Sequence, residues 1–178
     1  MADLVPELKP KEILQAAGVS AGMRVADLGS GAGFFVWAAT QLVGPDGFVY
    51  GVEVQEQLVK ALHQDSLFRG LTNVQAMHAN LEIIGAVPLA DDSLDFVFLV
   101  HTLCQNENHQ NILAEAKRLL KTGGKILVVE WQKGAPLGAG QVCQFGVEDI
   151  TELLLKMGFM DLQALHSGGA HHAYVATK

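Results

Sequence analysis

The sequence predicts an α/β fold: a doubly wound, mostly parallel sheet of seven strands with an antiparallel hairpin at its carboxyl-terminal edge. Three observations carry this. Short apolar or β-rich runs alternate with segments of helical periodicity along most of the chain. The first such run passes through three glycines at alternate positions straight into a helix. The last two β-like stretches follow one another without a helix between them, which places them side by side.

Taken in order, Pro10 suits a first helical turn and Gly18 lies just past the end, so residues 10–17 are expected as a short helix. Val25, Ala26 and Leu28 suit a buried strand, and residues 34–43 read as the helix after the glycine turn. Between them Gly29, Gly31 and Gly33 lack a Cβ, can take φ > 0 and let a ligand approach the backbone. The first amides of the helix then face polar or anionic atoms. This order of elements marks a nucleotide site. Gly44-Pro-Asp-Gly47 is a turn, and residues 48–54 supply a second strand that completes a βαβ unit. Glu53 lies 20 residues beyond Gly33, where nucleotide-binding folds place a carboxylate on ribose hydroxyls.

Leu58, Val59 and Leu62 share one side of a helix expected over residues 55–70, ended by Gly70. Residues 73–78 form a short third strand, which puts Ala79, Asn80 and Leu81 at the carboxyl edge where open α/β sheets bind ligands. Residues 88–93 read as a loop, and Leu94–Val100 is apolar enough for a central strand buried on both faces. Ile112, Leu113, Ala116, Leu119 and Leu120 recur at helical spacing over residues 109–121, with Lys117, Arg118 and Lys121 late, where the helix dipole favours cations. Thr122-Gly-Gly124 is read as the stop, residues 125–131 as the fifth strand, and residues 133–140, with three glycines, as a flexible loop. A last helix over 148–157 and strands over 159–165 and 172–177 complete the chain.

Composition narrows the function classes. A single domain over residues 1–178 is expected, with 1–22 as a helical lead-in and 23–178 as the core. A hydrophobic content of 49% with 17% charged residues excludes disorder, and no apolar run approaches the ~20 residues of a membrane span. The first residues lack the basic start and apolar core of a signal peptide, so a cytoplasmic location is expected. A net charge of −7 with scattered Lys and Arg argues against nucleic-acid substrates. Cys104 and Cys143 lack C-x-x-C spacing and are expected as reduced thiols. His101-x-x-Cys104, with His109 nearby, lacks the thiolate and carboxylate partners of a metal site, so none is expected.

The glycine spacing separates two kinds of nucleotide loop. In the dinucleotide fingerprint G-x-G-x-x-G/A, the last slot falls on Phe34 counting from Gly29 and on Val36 counting from Gly31, so neither frame fits. Asp27-Leu-Gly-Ser-Gly-Ala-Gly33 instead resembles motif I of the class I S-adenosylmethionine-dependent methyltransferases, of the methyltransferase type 11/UbiE-like kind. Ser30 stands where cysteine or another small residue is common in that family. Asp92-Ser-Leu-Asp-Phe-Val97 is similar to the acidic start of the family's fourth strand. Arg118-Leu-Leu-Lys-Thr-Gly-Gly-Lys-Ile-Leu127 resembles its R-x-L-K-P-G-G-x-L stretch, with Thr122 in place of proline.

The resemblance implies a Rossmann-like sheet in the order 3-2-1-4-5-7-6, its strand 7 antiparallel, and S-adenosyl-L-methionine as cofactor. It places the loop of Gly29, Ser30, Gly31 and Gly33 against the methionine part, with Asp27 supporting that loop or the ammonium through water. Glu53 would accept both ribose hydroxyls, and Val54 and Gln55 would flank the adenine. Asn80, where aspartate is usual, would accept from the adenine amino group, the Leu81 amide would serve a ring nitrogen, and Val100 would complete the set.

Methyl transfer from a sulfonium mainly requires alignment of a nucleophile and exclusion of water. His101, after the fourth strand, is the candidate proton acceptor, and a loop histidine held by a hydrogen bond is the competing reading. Trp131 offers an aromatic face to a substrate or to the core. The expected function is methyl transfer to a small molecule, with a protein side chain as the next substrate class. The alternatives are a non-catalytic module that binds S-adenosylmethionine or S-adenosylhomocysteine, and an NAD-dependent oxidoreductase, which Phe34 disfavours. With little chain before the first strand to enclose a substrate, either the substrate is large or a partner covers the site, a homodimer being the economical version.

Overall fold

A computed structural model describes residues 8–138, 141–143, 146–168 and 170–178. Strands β1 (Arg24–Leu28), β2 (Phe48–Glu53), β3 (Val74–His78), β4 (Leu94–Val100) and β5 (Leu120–Trp131) join β8 (Met160–Leu165) and β9 (His171–Thr177) in one sheet. The sheet runs β3-β2-β1-β4-β5-β9-β8, which is 3-2-1-4-5-7-6 when only its own strands are counted. The pairs β1–β2, β1–β4, β2–β3 and β4–β5 are parallel, whereas β5–β9 and β8–β9 are antiparallel.

Alternation along each central strand builds two cores. Ala26, Leu28, Val52, Val97, Leu99, Ile126 and Val128 face one side, under helices α4 (His109–Leu119) and α5 (Val147–Lys156). Val25, Val49, Phe96, Phe98, Leu127 and Val129 face the other, under α1 (Pro10–Ala17), α2 (Phe34–Val43) and Leu62 of α3 (Glu56–Phe68). Since both faces are covered, the central strands read as unbroken apolar runs. At β1 and β4 the strand order reverses direction, and the loops leaving these two neighbours part to open a crevice at their carboxyl ends.

The structure corrects the sequence reading in two places. β5 begins at Leu120, directly after α4, because Leu120 pairs with Leu94 before the register shifts and Lys125 pairs with Phe96. Thr122-Gly-Gly124 therefore lies within the strand's irregular start instead of ending a longer helix. In the segment expected as a flexible loop, β6 (Pro136–Gly138) pairs antiparallel with β7 (Gln141–Val142), while residues 139–140 lie outside the described ones. A 3-10 turn, Leu103–Gln105, follows β4. Among the described residues no helix is long and apolar enough to cross a membrane.

Candidate functional site

The glycine turn after β1 is held from both sides. Gly29 and Ser30 donate their backbone N–H groups to Val52 O of β2 at 2.8 and 2.9 Å. On the other side Thr102, just after β4, donates its hydroxyl to Leu28 O at 2.9 Å. A Cβ at Gly29, where φ is +94°, would lie 2.5 Å from Thr102 Oγ1, so this position is closed to any side chain. At Gly31 φ is +50° and an added Cβ would meet nothing within 4 Å. Gly33 serves packing instead, since a Cβ there would lie 2.5 Å from Leu62 Cδ1 and its absence lets α2 start close against α3.

Around this turn lies a cavity of about 670 Å³ at the carboxyl ends of β1 to β4. It gathers Asp27, Gly29, Ser30, Gly31, Glu53, Val54, Gln55, Asn80, Leu81, Val100 and His101 on one surface. Of the residues singled out from sequence, Gly33 and Trp131 are the ones that do not line it. Phe34, which the sequence set against a dinucleotide loop, also lines it; Thr102 and Asn106 line it and were not singled out, the signal for Thr102 being its place directly after His101 at the end of a central strand.

Glu53 braces the backbone here. Its Oε2 accepts the Gly31 N–H at 3.0 Å, and its Oε1 accepts those of Val54 and Gln55 at 2.9 and 3.0 Å. Three of its roughly four lone-pair sites are thus used by the chain, leaving room for about one further donor. Asp27 is buried in β1, and its Oδ1 has no hydrogen-bond partner among the described residues. Burial, and then the negative Glu53, hold the Asp27 carboxyl well above its usual value. Ser30 Oγ is likewise buried without a partner among the described residues. Asn80 Oδ1 accepts the Glu82 N–H at 2.9 Å, an Asx turn that fixes the loop after β3 and leaves a second lone pair.

His101 holds a left-handed backbone at φ +57°, with its N–H donated to Val129 O at 2.8 Å. Its ring stacks on Trp131 at 4.5 Å between centroids and on His171 at 5.0 Å, so Trp131 orients the histidine. Burial, and then the charge of His171, pull the His101 pKa down to about 4. The imidazole is neutral at pH 7, and its Nε2 is buried without a partner among the described residues.

Behind His101 the expected pair of reduced thiols is corrected: Cys104 and Cys143 form a disulfide across 39 residues of sequence. Cys104 belongs to the 3-10 turn, and Cys143 is brought over by the segment after β7, its N–H donated to Ala135 O at 2.9 Å. Glu130 of β5 lies beneath them, fully buried, its Oε1 accepting the N–H groups of Leu103 at 2.6 Å and Cys104 at 3.3 Å. Burial pushes Glu130 up to about 7, against the opposing effect of those amides. The partners that spacing alone denied to Cys104 thus come from β5 and from the segment after β7.

Comparison with known proteins agrees with this geometry. A family described as the methyltransferase domain matches residues 19–152. A demethylmenaquinone methyltransferase of Geobacillus kaustophilus is 29% identical over 147 residues, 83% of this chain and 62% of that protein. An arsenite methyltransferase of Aquipseudomonas alcaligenes is 37% identical over 117 residues, 64% of this chain and 34% of that one. The chain therefore spans less than two thirds of the length of either relative. A crystal structure of a SAM dependent methyltransferase from Aquifex aeolicus superposes with a TM-score of 0.84 at 26% identity, covering 95% of this chain and 89% of that one. Since the family match runs from just before β1 into α5 and takes in every strand whose carboxyl end lines the cavity, this chain belongs to the methyltransferase domain family.

Proposed function

We propose that this chain is an S-adenosylmethionine-dependent methyltransferase acting on a small-molecule acceptor. The observation that carries the proposal is the pair of carboxyl groups on one wall of the cavity, Asp27 and Glu53, the first with a buried oxygen that no described group satisfies. Such a wall favours a ligand that brings positive charge, as the ammonium and sulfonium of S-adenosylmethionine do, and opposes the pyrophosphate of a dinucleotide. The open space beside Gly31 admits a ligand to the turn. The names of the relatives, for demethylmenaquinone and for arsenite, support a small acceptor.

The cofactor supplies an activated methyl group. The chain's own part is to bind, orient and dry the site. Asp27 would meet the ammonium end, directly or through water, and the turn of Gly29 to Gly33 would carry the methionine part. Glu53 would use its remaining lone pair for the ribose, Val54 and Gln55 would flank the adenine, and Asn80 and the Leu81 amide would receive its edge. Val100 and His101 close the acceptor side. His101 is neutral and so ready to take a proton, but at a pKa of about 4 it is roughly 300-fold less basic than an unperturbed imidazole. It suits a nucleophile acidified by binding, with alignment carrying most of the rate.

Calorimetric titration with S-adenosylmethionine, S-adenosylhomocysteine and NAD tests the cofactor: the first two should bind, and NAD binding without them would overturn the proposal. Screening small-molecule extracts with methyl-labelled cofactor tests the transfer, and the absence of any acceptor would favour a non-catalytic binding module. With an acceptor in hand, His101→Ala should lower kcat toward the lower end of the ~10²–10⁴ range for a general base, with cofactor affinity unchanged. Wild-type kinetics in that variant would retire His101.

The proposal keeps the cytoplasmic setting expected from sequence, where thiols are held reduced and the Cys104–Cys143 disulfide seen in the structure would open to a dithiol. The proposed homodimer is supported by the exposed apolar side chain of Phe34 on the cavity's lining, and sedimentation would test it.

A further inference from the structure

We propose that, in the dithiol state, Cys104, Cys143 and Glu130 form a binding site for a soft divalent metal ion of the zinc group, behind the acceptor end of the cavity. One ligand atom from each of the three lies within 4.8 Å of the others. The three come from separate segments: the turn after β4, β5, and the stretch after β7. Two sulfurs and one carboxylate oxygen match the donor set of zinc, and three protein ligands leave a fourth position for water or another donor.

Two observations independent of the cysteines point to a ligand here. Glu130 is fully buried, yet its Oε2 has no hydrogen-bond partner among the described residues. No Lys or Arg forms an ion pair with it among those residues either. A buried carboxylate oxygen left this way is unfavourable, and a cation shared with two thiolates would satisfy it. Its other oxygen already holds the Leu103 and Cys104 amides, so the carboxylate is fixed beneath the sulfurs. Cys104 is half-buried, which gives an ion a way in.

The disulfide and the metal site exclude one another. Reduction by a thiol or phosphine adds two electrons and two protons to the S–S bond, and the reductant leaves as its disulfide or phosphine oxide. An incoming divalent ion then displaces the two thiol protons to solvent and forms two metal–sulfur bonds. Because Thr102 and Asn106, which flank the Leu103–Gln105 turn, line the cavity, the ion would tie that wall to β5.

The test uses the whole chain reduced with a phosphine and freed of excess metal, titrated with Zn²⁺ in competition with a chromophoric chelator and with Cd²⁺ followed by its thiolate charge-transfer absorbance. One equivalent should bind with that absorbance. Cys104→Ser and Cys143→Ser should each weaken binding by about a hundredfold or more, Glu130→Gln by about tenfold, and the oxidised chain should take up none. Reduced wild type binding no tighter than the double serine variant, or Cd²⁺ uptake without the thiolate band, would overturn the proposal. Should the serine variants fail to fold, alkylation of the reduced wild-type thiols decides it. Cd²⁺ should slow their modification by iodoacetamide, and an unchanged rate would overturn the site.

Discussion

Gly31→Ala and Gly29→Ala should separate ligand space from folding space within a single turn. Both glycines have positive φ, +50° and +94°, so each alanine carries a backbone cost of about 1–2 kcal/mol. At Gly31 that is the whole cost to the unliganded chain, because the new methyl meets no atom within 4 Å. Against a typical stability of about 5–15 kcal/mol the variant stays folded. At Gly29 the methyl falls 2.5 Å from Thr102 Oγ1 and 3.1 Å from its Cγ2, so Thr102 must move. That adds about 1–3 kcal/mol of overpacking and endangers the hydrogen bond to Leu28 O, worth about 0.5–1.5 kcal/mol. With ligand present the order reverses. A methyl at Gly31 enters space the ligand needs, and a similar overpacking cost of about 1–3 kcal/mol corresponds to roughly 5- to 150-fold weaker binding. Urea unfolding and calorimetric titration with S-adenosylmethionine measure the two effects. Wild-type affinity in Gly31→Ala would show that no ligand approaches this turn. Wild-type stability in Gly29→Ala would show that the Thr102 contact yields without cost.

Three further outcomes follow from the carboxylates. Glu53→Ala should weaken cofactor binding by about 10- to 100-fold and speed amide exchange at Gly31, since bonds to a charged acceptor contribute about 1.5–3 kcal/mol; an unchanged dissociation constant would remove Glu53 from the site. Asp27 holds its proton well above the usual carboxylate range when folded, so its contribution to stability falls as pH rises from the unfolded value through the folded one. A cationic ligand favours the ionised form, so affinity should rise over the same window and Asp27→Asn should flatten that rise; equal pH dependence in the two chains would refute it. Glu115 is the opposite case: burial works against its charge, but Arg118 and the Gly85 and Val87 amides outweigh burial and hold its carboxyl below the usual value. Its stabilisation is present above the unfolded value and is lost as pH falls through the folded one. Glu115→Ala should therefore cost about 3–5 kcal/mol near neutrality, with wild type and variant converging in acid, and a constant difference in urea midpoints would refute the assignment.

The sequence made the sheet and the glycine-turn wall of the cavity legible because both depend on local pattern. Val25 to Leu28 is apolar enough to be central, the alternating glycines fix the turn, and Glu53 follows at the distance one βαβ unit requires. What stayed hidden depends on contacts between distant segments. Cys104 and Cys143 are 39 residues apart, and nothing near either predicts a partner. Glu130 reads as an ordinary strand residue until the Leu103 amide is seen to need it. Thr122-Gly-Gly124 reads as a helix stop in sequence, but the pairing of Leu120 with Leu94 ends α4 at Leu119 and draws the same residues into a strand. Trp131 showed its aromatic face in sequence, and only the fold shows that face spent on His101 and His171.

One device recurs around the cavity. Where a loop leaves the end of a parallel strand, its N–H groups lose their ladder partners and must find others. Glu53 takes up those after β1 and β2, Glu115 takes up Gly85 and Val87 in the segment between β3 and β4, and Glu130 takes up Leu103 and Cys104 after β4. All three are buried, and a carboxylate suits this role because it accepts several donors at once and offers none. Arg118 neutralises Glu115 through Nε and a terminal nitrogen, both at 2.8 Å, whereas no ion pair neutralises Glu53 or Glu130 among the described residues. Of the three, Glu53 lines the cavity, so there a charge that orders the loops also sets the sign of the wall. With Asp27 beside Glu53, that wall gains most from a ligand that is itself a cation, and the same groups that give the site its shape select the charge of what it holds.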